Sequence, residues 1–139
     1  MQDPVTPLAI YLHLARASDL RRRPHVRDRL LVLAAVAATK AGLPRIAAFC
    51  RQRVLQHNPQ HLLQRWPTVA YALRDADFLR FFANLEKRYS QEHAEQLLQS
   101  LGIEMGRERA TYYSDEEYAA AIAGTTLSEL DARFPPDPA

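Results

Sequence analysis

Apolar side chains recur every three or four residues along most of the chain, which is the spacing of one face of an α-helix. No stretch flanked by turn residues alternates cleanly between apolar and polar positions, as a half-buried β-strand does. Prolines fall at intervals suited to helix starts, and the first glycine is Gly42. The pattern predicts an all-α fold, a compact single-domain bundle of about five to seven helices arranged as antiparallel hairpins.

The first part of the chain predicts three helices. Thr6 is expected to cap the first helix, with Pro7 in its first turn. The centre of the second helix, Leu30–Ala38, is apolar all round, which is typical of a helix enclosed by neighbours. Gly42 ends this helix, and Pro44 begins the third helix, which runs back antiparallel to it. The predicted bounds are about 7–17, 26–40 and 44–57.

Helix signals continue in the second part of the chain. Pro67 is expected to kink or divide the segment between residues 60 and 74, because proline removes a backbone donor. Asp75 and Ser90 are predicted N-caps, and Ser114 with Glu117 forms a capping box. The helix after Asp75 carries an aromatic and apolar stripe, and the helix after Ser114 is expected to end at a glycine. The stripe residues are Phe78, Phe81, Phe82, Leu85 and Tyr89.

Two stretches in the second part of the chain carry no helix signal. Residues 103–113 show no firm pattern. The last residues, 134–139, are rich in proline and are predicted to be a disordered tail. Residues 1–133 are therefore expected to form one all-α domain, which agrees with the usual size of a domain.

Residues 31–59 resemble a single tetratricopeptide-type (TPR-like) helical hairpin. A glycine stands in the turn and the segment closes with Asn58-Pro59. Arg51 occupies the position where the family has an aromatic residue, and Pro44 stands in the turn, so the match has two departures. The resemblance implies TPR-like helix packing. The remaining matching positions are Leu31, Ala35, Ala38, Gly42, Ala47, Val54 and Leu55.

Composition and length exclude several classes of protein. The chain has 139 residues, 47% of them hydrophobic and 24% charged, which is typical of a globular protein rather than a disordered or fibrous one. The longest apolar run is far shorter than the roughly 20 residues that a membrane-spanning helix needs. The single cysteine excludes an internal disulfide and suits a reducing compartment. We therefore expect a cytoplasmic protein without a membrane partner.

Charge is divided unevenly along the chain. Residues 1–70 carry a formal charge of +8 and residues 71–139 carry −6. Such a bipolar charge distribution steers ionic partners to one end of a molecule, or favours a homo-oligomer in which copies pair head to tail. Five arginines fall within nine residues, and their forked donors suit phosphate groups. Nucleic-acid binding is therefore one hypothesis, and its candidate residues are Arg21, Arg22, Arg23, Arg27 and Arg29.

Signals of enzymatic activity are absent from the sequence. It contains none of the short motifs for nucleotide, dinucleotide, serine-hydrolase or zinc-protease sites. Cys50 lies among apolar residues at helical spacing and is interpreted as a core residue. His57 and His61 are separated by Pro59 and do not share a helical face, so no metal site is predicted. We predict no cofactor and no catalytic residue, and an enzyme whose site is assembled only by folding is the third hypothesis.

A protein-interaction module, or adaptor, is the first hypothesis for function. It is reached by elimination, together with the helical hairpin and the polarised charge. A groove between helices is expected to accept an acidic or amphipathic segment of a partner protein, with tryptophan as the main anchor. The alternative interpretation of the tryptophan is that it fills a corner of the core. The residues predicted to bind this partner are Arg45, Arg53, Arg65 and Trp66.

Overall fold

The computed structural model describes residues 3–105 and 108–135, and within them it contains α-helices, two short 3₁₀ helices and no β-strand. The all-α prediction is confirmed. The 3₁₀ helices are Leu62–Arg65 and Glu108–Thr111. The α-helices are α1 (Val5–Leu20), α2 (Pro24–Lys40), α3 (Pro44–His57), α4 (Val69–Ala72), α5 (Ala76–Arg88), α6 (Gln91–Ser100), α7 (Asp115–Ala123) and α8 (Leu127–Arg133).

The first three helices form an up-down-up unit with α2 in the middle. They are joined by two short connections, Arg21–Arg23 and Ala41–Leu43. The side chain of His57 at the end of α3 contacts Asp28 near the start of α2, as an antiparallel pair requires. Helix α2 also contacts α4 and α5, so neighbours surround it as its apolar centre predicts.

The remaining helices pack around this unit and complete one hydrophobic core. Helices α6 and α7 contact α1, and α7 and α8 also contact α3. The side chains of Leu8, Val32, Phe78 and Leu130 are fully buried, and they come from four different helices. The ends of α1 and α3 lie near α7 and α8 on one side of the molecule, where these helices enclose a cleft.

Most helix boundaries agree with the predictions. Helix α3 has the predicted bounds, and Asp75, Ser90 and Ser114 each accept a hydrogen bond from a backbone N–H in the following turn. Pro67 divides its segment into the first 3₁₀ helix and α4, as predicted.

Two helix starts differ from prediction, those of α1 and α2, and one helix was not expected. Helix α2 begins at Pro24 rather than at about Val26, because proline suits the first turn of a helix. Helix α1 begins at Val5 rather than after Thr6, because the carboxylate of Asp3 accepts a hydrogen bond from the Val5 backbone N–H at 3.0 Å. Helix α8 was not predicted. Thr126 caps it by accepting a hydrogen bond from the backbone N–H of Glu129 at 3.2 Å.

The end of the chain is described as far as Pro135. Phe134, assigned from sequence to the tail, follows α8 directly and is half-buried against the core. The other residues of the predicted tail, 136–139, lie outside the described residues. Among the helices that the structure describes, none is both long enough and apolar enough to cross a membrane.

Candidate functional site

A cleft of about 460 Å³ opens where the second half of α1 and helix α3 meet the corner between α7 and α8. Its floor is apolar and its walls carry three arginines together with two carboxylates. We call it the arginine cleft. The floor residues are Leu12, Phe49 and Ile122, and the wall residues are Arg16, Asp19, Arg53, Glu129 and Arg133.

Helical spacing explains why arginines surround an apolar floor. Arg16 follows Leu12 by four residues on α1, and Arg53 follows Phe49 by four residues on α3. Residues four apart lie one turn apart on the same face of a helix. The apolar residue therefore fills the floor, while the arginine stem covers the apolar edge and its guanidinium reaches solvent.

The positive charge of the cleft is only partly neutralised. Arg53 Nη2 lies 3.5 Å from Asp19 Oδ2, and Arg27 Nη1 lies 2.7 Å from Asp19 Oδ1. The hydrogen bond from Arg27 is the main cause that lowers the pKa of Asp19. Glu129 Oε2 accepts a hydrogen bond from the buried Thr125 hydroxyl at 2.8 Å. Both carboxylates of the cleft are thus already engaged.

Two guanidinium groups of the cleft have no carboxylate partner among residues 3–105 and 108–135. Arg16 is exposed and forms no ion pair within them. Arg133 donates only to the side-chain oxygen of Gln52, at 3.5 Å. An acidic ligand can therefore bind these two groups without displacing an internal ion pair.

The predicted basic segment is divided by the fold. Arg21, Arg22 and Arg23 are exposed and follow Leu20, a rim residue of the cleft that is 79% exposed. Arg27, in contrast, is held between Asp19 and Asp28, and its side chain is only 14% exposed. Arg29 is half-buried. The five arginines therefore do not form one surface.

The four residues predicted to bind a partner are also separated. Only Arg53 lines the arginine cleft. Arg45 bonds to Glu116 and Asp131, with its Nε 3.1 Å from Glu116 Oε2, and so fastens α3 to α7 and α8. Arg65 and Trp66 lie on the first 3₁₀ helix and at its end, where Arg65 Nη2 is 3.2 Å from Asp77 Oδ2.

Trp66 is half-buried and packed against the core. Its ring meets the ring of Phe78 edge-on at a centroid distance of 5.6 Å, and its Nε1 donates to Asp75 Oδ2 at 3.2 Å. The Arg65 guanidinium lies over the Trp66 ring, 5.1 Å from its centroid. These contacts favour the interpretation of Trp66 as part of the fold's packing.

A second cavity, of about 590 Å³, lies along a neighbouring face of α3. Its walls are mainly small and apolar, and Arg51 is the single charged residue among those that line it. We call it the apolar groove. Gln56 lines both this groove and the arginine cleft. The defining residues of the groove are Ala47, Ala48, Arg51, Leu55, Val69 and Phe134.

The residues considered for catalysis are engaged in packing. Cys50 is fully buried, as predicted, and burial raises the pKa of its thiol to about 12, which disfavours the reactive thiolate. The buried Asp28 contacts Arg27 and His57, and the His57 ring meets His25 at 5.3 Å. No group of three metal-binding side chains lies together in the part of the chain that the structure describes.

No protein-family model, curated protein or solved structure matches this chain. The TPR-like character of residues 31–59 therefore stays a prediction. Helices α2 and α3 form the antiparallel hairpin that this resemblance requires, but three stacked hairpins are needed for a repeat array.

The site predicted from the sequence did not include Arg16 and Arg133. Arg16 was within reach of prediction, because it follows the apolar Leu12 by one helical turn, as Arg53 follows Phe49. Arg133 was out of reach without α8, and the signal for that helix was the pair Thr126 and Glu129. The three arginines come together because α8 and α1 pack beside α3, and this packing produces no recognisable residue spacing in the sequence.

Proposed function

We propose that this protein is a non-enzymatic protein-interaction module that binds an acidic, amphipathic segment of a partner protein in the arginine cleft. The observation that carries the proposal is the combination of an apolar floor with two arginines, Arg16 and Arg133, that lack carboxylate partners within the described residues. An amphipathic helix presents the complementary arrangement, because its apolar and acidic residues lie on adjacent faces.

The size and chemistry of the cleft support a peptide as the occupant. A volume of about 460 Å³ accommodates a few side chains rather than a whole domain. A guanidinium can donate two parallel hydrogen bonds to one carboxylate, and each such charge-assisted hydrogen bond contributes about 1.5–3 kcal/mol to the free energy of binding. The floor adds the apolar contact that gives an anchor residue its affinity. A cytoplasmic location is part of the proposal and is supported by the reduced, buried Cys50.

A display library of random 16-residue peptides tests the proposal without a known partner. Peptides selected on the protein should be enriched in Asp and Glu placed three or four residues from a large apolar residue. The double variant Arg16→Glu, Arg133→Glu should bind the selected peptides about a hundredfold more weakly, since two charge-assisted contacts are lost. Arg80→Glu is the matched control, because Arg80 lies on α5 and its side chain is 77% exposed.

Two results of this selection would contradict the proposal. Enriched peptides without an excess of acidic residues would show that the arginines do not select the ligand. Equal binding by wild type and the double variant would place the peptide elsewhere on the molecule. Thermal unfolding of each variant checks that a lost affinity is not a lost fold.

A second candidate function is nucleic-acid binding, and the exposure of Arg21, Arg22 and Arg23 at the rim of the cleft favours it. Contacts from three arginines to phosphates should give a slope of log K against log salt of about −2.7 on duplex DNA. Replacing all three arginines by alanine should reduce that slope to near zero. Binding with an unchanged slope would remove this segment as the nucleic-acid site.

A further inference from the structure

The apolar groove contains a charge for which its own walls provide no partner. Arg51 Nη2 donates to the backbone carbonyl of Trp66 at 2.8 Å. Its Nε is buried and has no hydrogen-bond partner among the described residues. No carboxylate lies within ion-pair distance of Arg51 in residues 3–105 or 108–135. Burial lowers the pKa of this guanidinium, as expected for a cation that has lost solvent without gaining an anion.

The surroundings of Arg51 define what would complement it. The side chains of Ala47, Ala48, Leu55 and Val69 offer apolar contact, and Phe134 also lines the groove. A ligand with only acidic groups would leave these apolar walls uncovered, while a purely apolar ligand would leave the guanidinium unpaired in a drier environment. The matching chemistry is an apolar side chain with a carboxylate beside it.

The groove and the arginine cleft are neighbours on α3, where Gln56 lines both of them. Gln52 lines the groove and Gln56 lines both cavities, so these two residues form the polar ridge between them. Arg133 of the cleft donates to Gln52 on this ridge, and the next residue, Phe134, lines the groove. A single chain segment can therefore leave one cavity, cross the ridge and enter the other.

We propose that the apolar groove is the second half of the partner-binding surface, and that it takes an apolar residue and an adjacent carboxylate of the same partner segment whose acidic part lies in the arginine cleft. This inference rests on the proposed function and adds the sequence order of the ligand. The acidic and apolar parts of the partner are separated by a spacer that crosses α3.

The width of α3 sets the length of that spacer. A helix with its side chains is about 10–12 Å across. An extended chain covers about 3.3–3.6 Å per residue, so crossing the ridge takes about three to four residues. The partner segment is thus expected to have two or more acidic residues, about four spacer residues and then a large apolar residue followed by a carboxylate.

Four synthetic peptides test this order. The first joins Glu-Glu-Glu to Leu-Phe with a free terminal carboxylate through the spacer Gly-Ser-Gly-Ser, and the second omits the spacer. The third and fourth are the separate pieces, amidated Glu-Glu-Glu and acetylated Leu-Phe. The spaced peptide should bind at least about tenfold more tightly than either piece, because linkage makes the second contact intramolecular. The peptide without a spacer should show little of this gain, because it cannot span the two cavities.

Two variants locate the gain in the groove. Ala48→Glu fills part of the groove and repels a carboxylate, and Arg51→Met removes the charge while keeping a long side chain. Both should abolish the gain of the spaced peptide and leave the binding of Glu-Glu-Glu unchanged. Ala83→Glu is the matched control for Ala48→Glu, since Ala83 is an exposed residue of α5. The affinity of every pair is measured by NMR titration of the folded, full chain.

The outcomes separate the two proposals. A spaced peptide that binds no more tightly than Glu-Glu-Glu, or a gain that survives both Ala48→Glu and Arg51→Met, overturns the inference about the groove. If Glu-Glu-Glu binding still responds to Arg16→Glu, the proposed function stands. If neither the spaced peptide nor the peptides selected from the library respond to Arg16→Glu or Arg133→Glu, both proposals are overturned.

Discussion

Replacing Trp66 by alanine tests whether this side chain belongs to the fold or to a binding surface. The half-buried ring packs on Phe78, and its Nε1 donates to Asp75. Truncating a fully buried tryptophan costs about 3–5 kcal/mol, and partial exposure of Trp66 reduces this to about 2–3 kcal/mol. An unfolding entropy of about 2.1 cal/mol/K per residue gives about 290 cal/mol/K for this chain, so each kcal/mol lowers Tm by about 3.4 °C.

We therefore expect Trp66→Ala to lower Tm by about 7–10 °C in calorimetry. Trp66→Phe keeps the aromatic contact and loses the bond to Asp75, which should cost about 1 kcal/mol and about 3 °C. Tyr113→Ala is the control, because that side chain is 99% exposed and should leave Tm unchanged. A shift of less than about 2 °C for Trp66→Ala would refute the packing argument and restore Trp66 as an exposed anchor.

Three other changes test separate parts of the structure. Arg45→Met should cost about 1–2 kcal/mol in urea unfolding, because Glu116 is left partly buried without its cation, and adding Glu116→Gln should recover part of that loss. Burial lowers the pKa of His13, whose Nε2 lacks a hydrogen-bond partner among the described residues, so its neutral form favours folding. The free energy of unfolding should therefore fall as the pH drops below about 6.5. His13→Leu should reduce this pH dependence, and the part that remains is expected to come from His61, because burial also lowers the pKa of His61. Gly124→Ala should cost about 1 kcal/mol in thermal unfolding, because Gly124 has a φ of 87° at the end of α7 and an added methyl group would meet only backbone strain; an unchanged Tm would contradict this.

Local features of the fold were predictable because their causes lie within a few residues. The Asp75, Ser90 and Ser114 caps depend only on a side-chain oxygen and a backbone N–H of the next turn. The apolar centre of α2 likewise indicates that other helices enclose α2, even when those helices are not known. Thr6 misled the prediction because a second local signal, the carboxylate of Asp3, starts the helix earlier.

The site was less predictable because its geometry depends on contacts between distant segments. Arg45 has the sequence context of an exposed helix residue, yet its partners are 71 and 86 residues away on α7 and α8. Arg53 faces the cleft only because α1 places Leu12 and Arg16 beside it. Neither contact produces a residue spacing that can be recognised in the sequence. The residues predicted to bind a partner therefore lie at separate places in the fold, and the cleft was not predicted.

Some of the charge asymmetry along the chain is removed by ion pairs between its two halves. Arg45 pairs with Glu116 and Asp131, and Arg65 pairs with Asp77, so these ion pairs join a base of the first half of the chain to acids of the second half. Folding therefore neutralises part of the difference by bringing the halves together. A head-to-tail assembly driven by opposite ends has correspondingly less charge to use.

Several arginines that folding leaves without an ion pair within the described residues lie close together at the arginine cleft. Arg16 and Arg133 on the walls of the arginine cleft, and the exposed segment Arg21–Arg23 at its rim, lie on one side of the molecule around an apolar floor. Exposed charges without an internal partner are screened only by salt and remain free to bind a ligand. The position of the residual charge, rather than its total, is thus the reason to look for an acidic partner at this cleft.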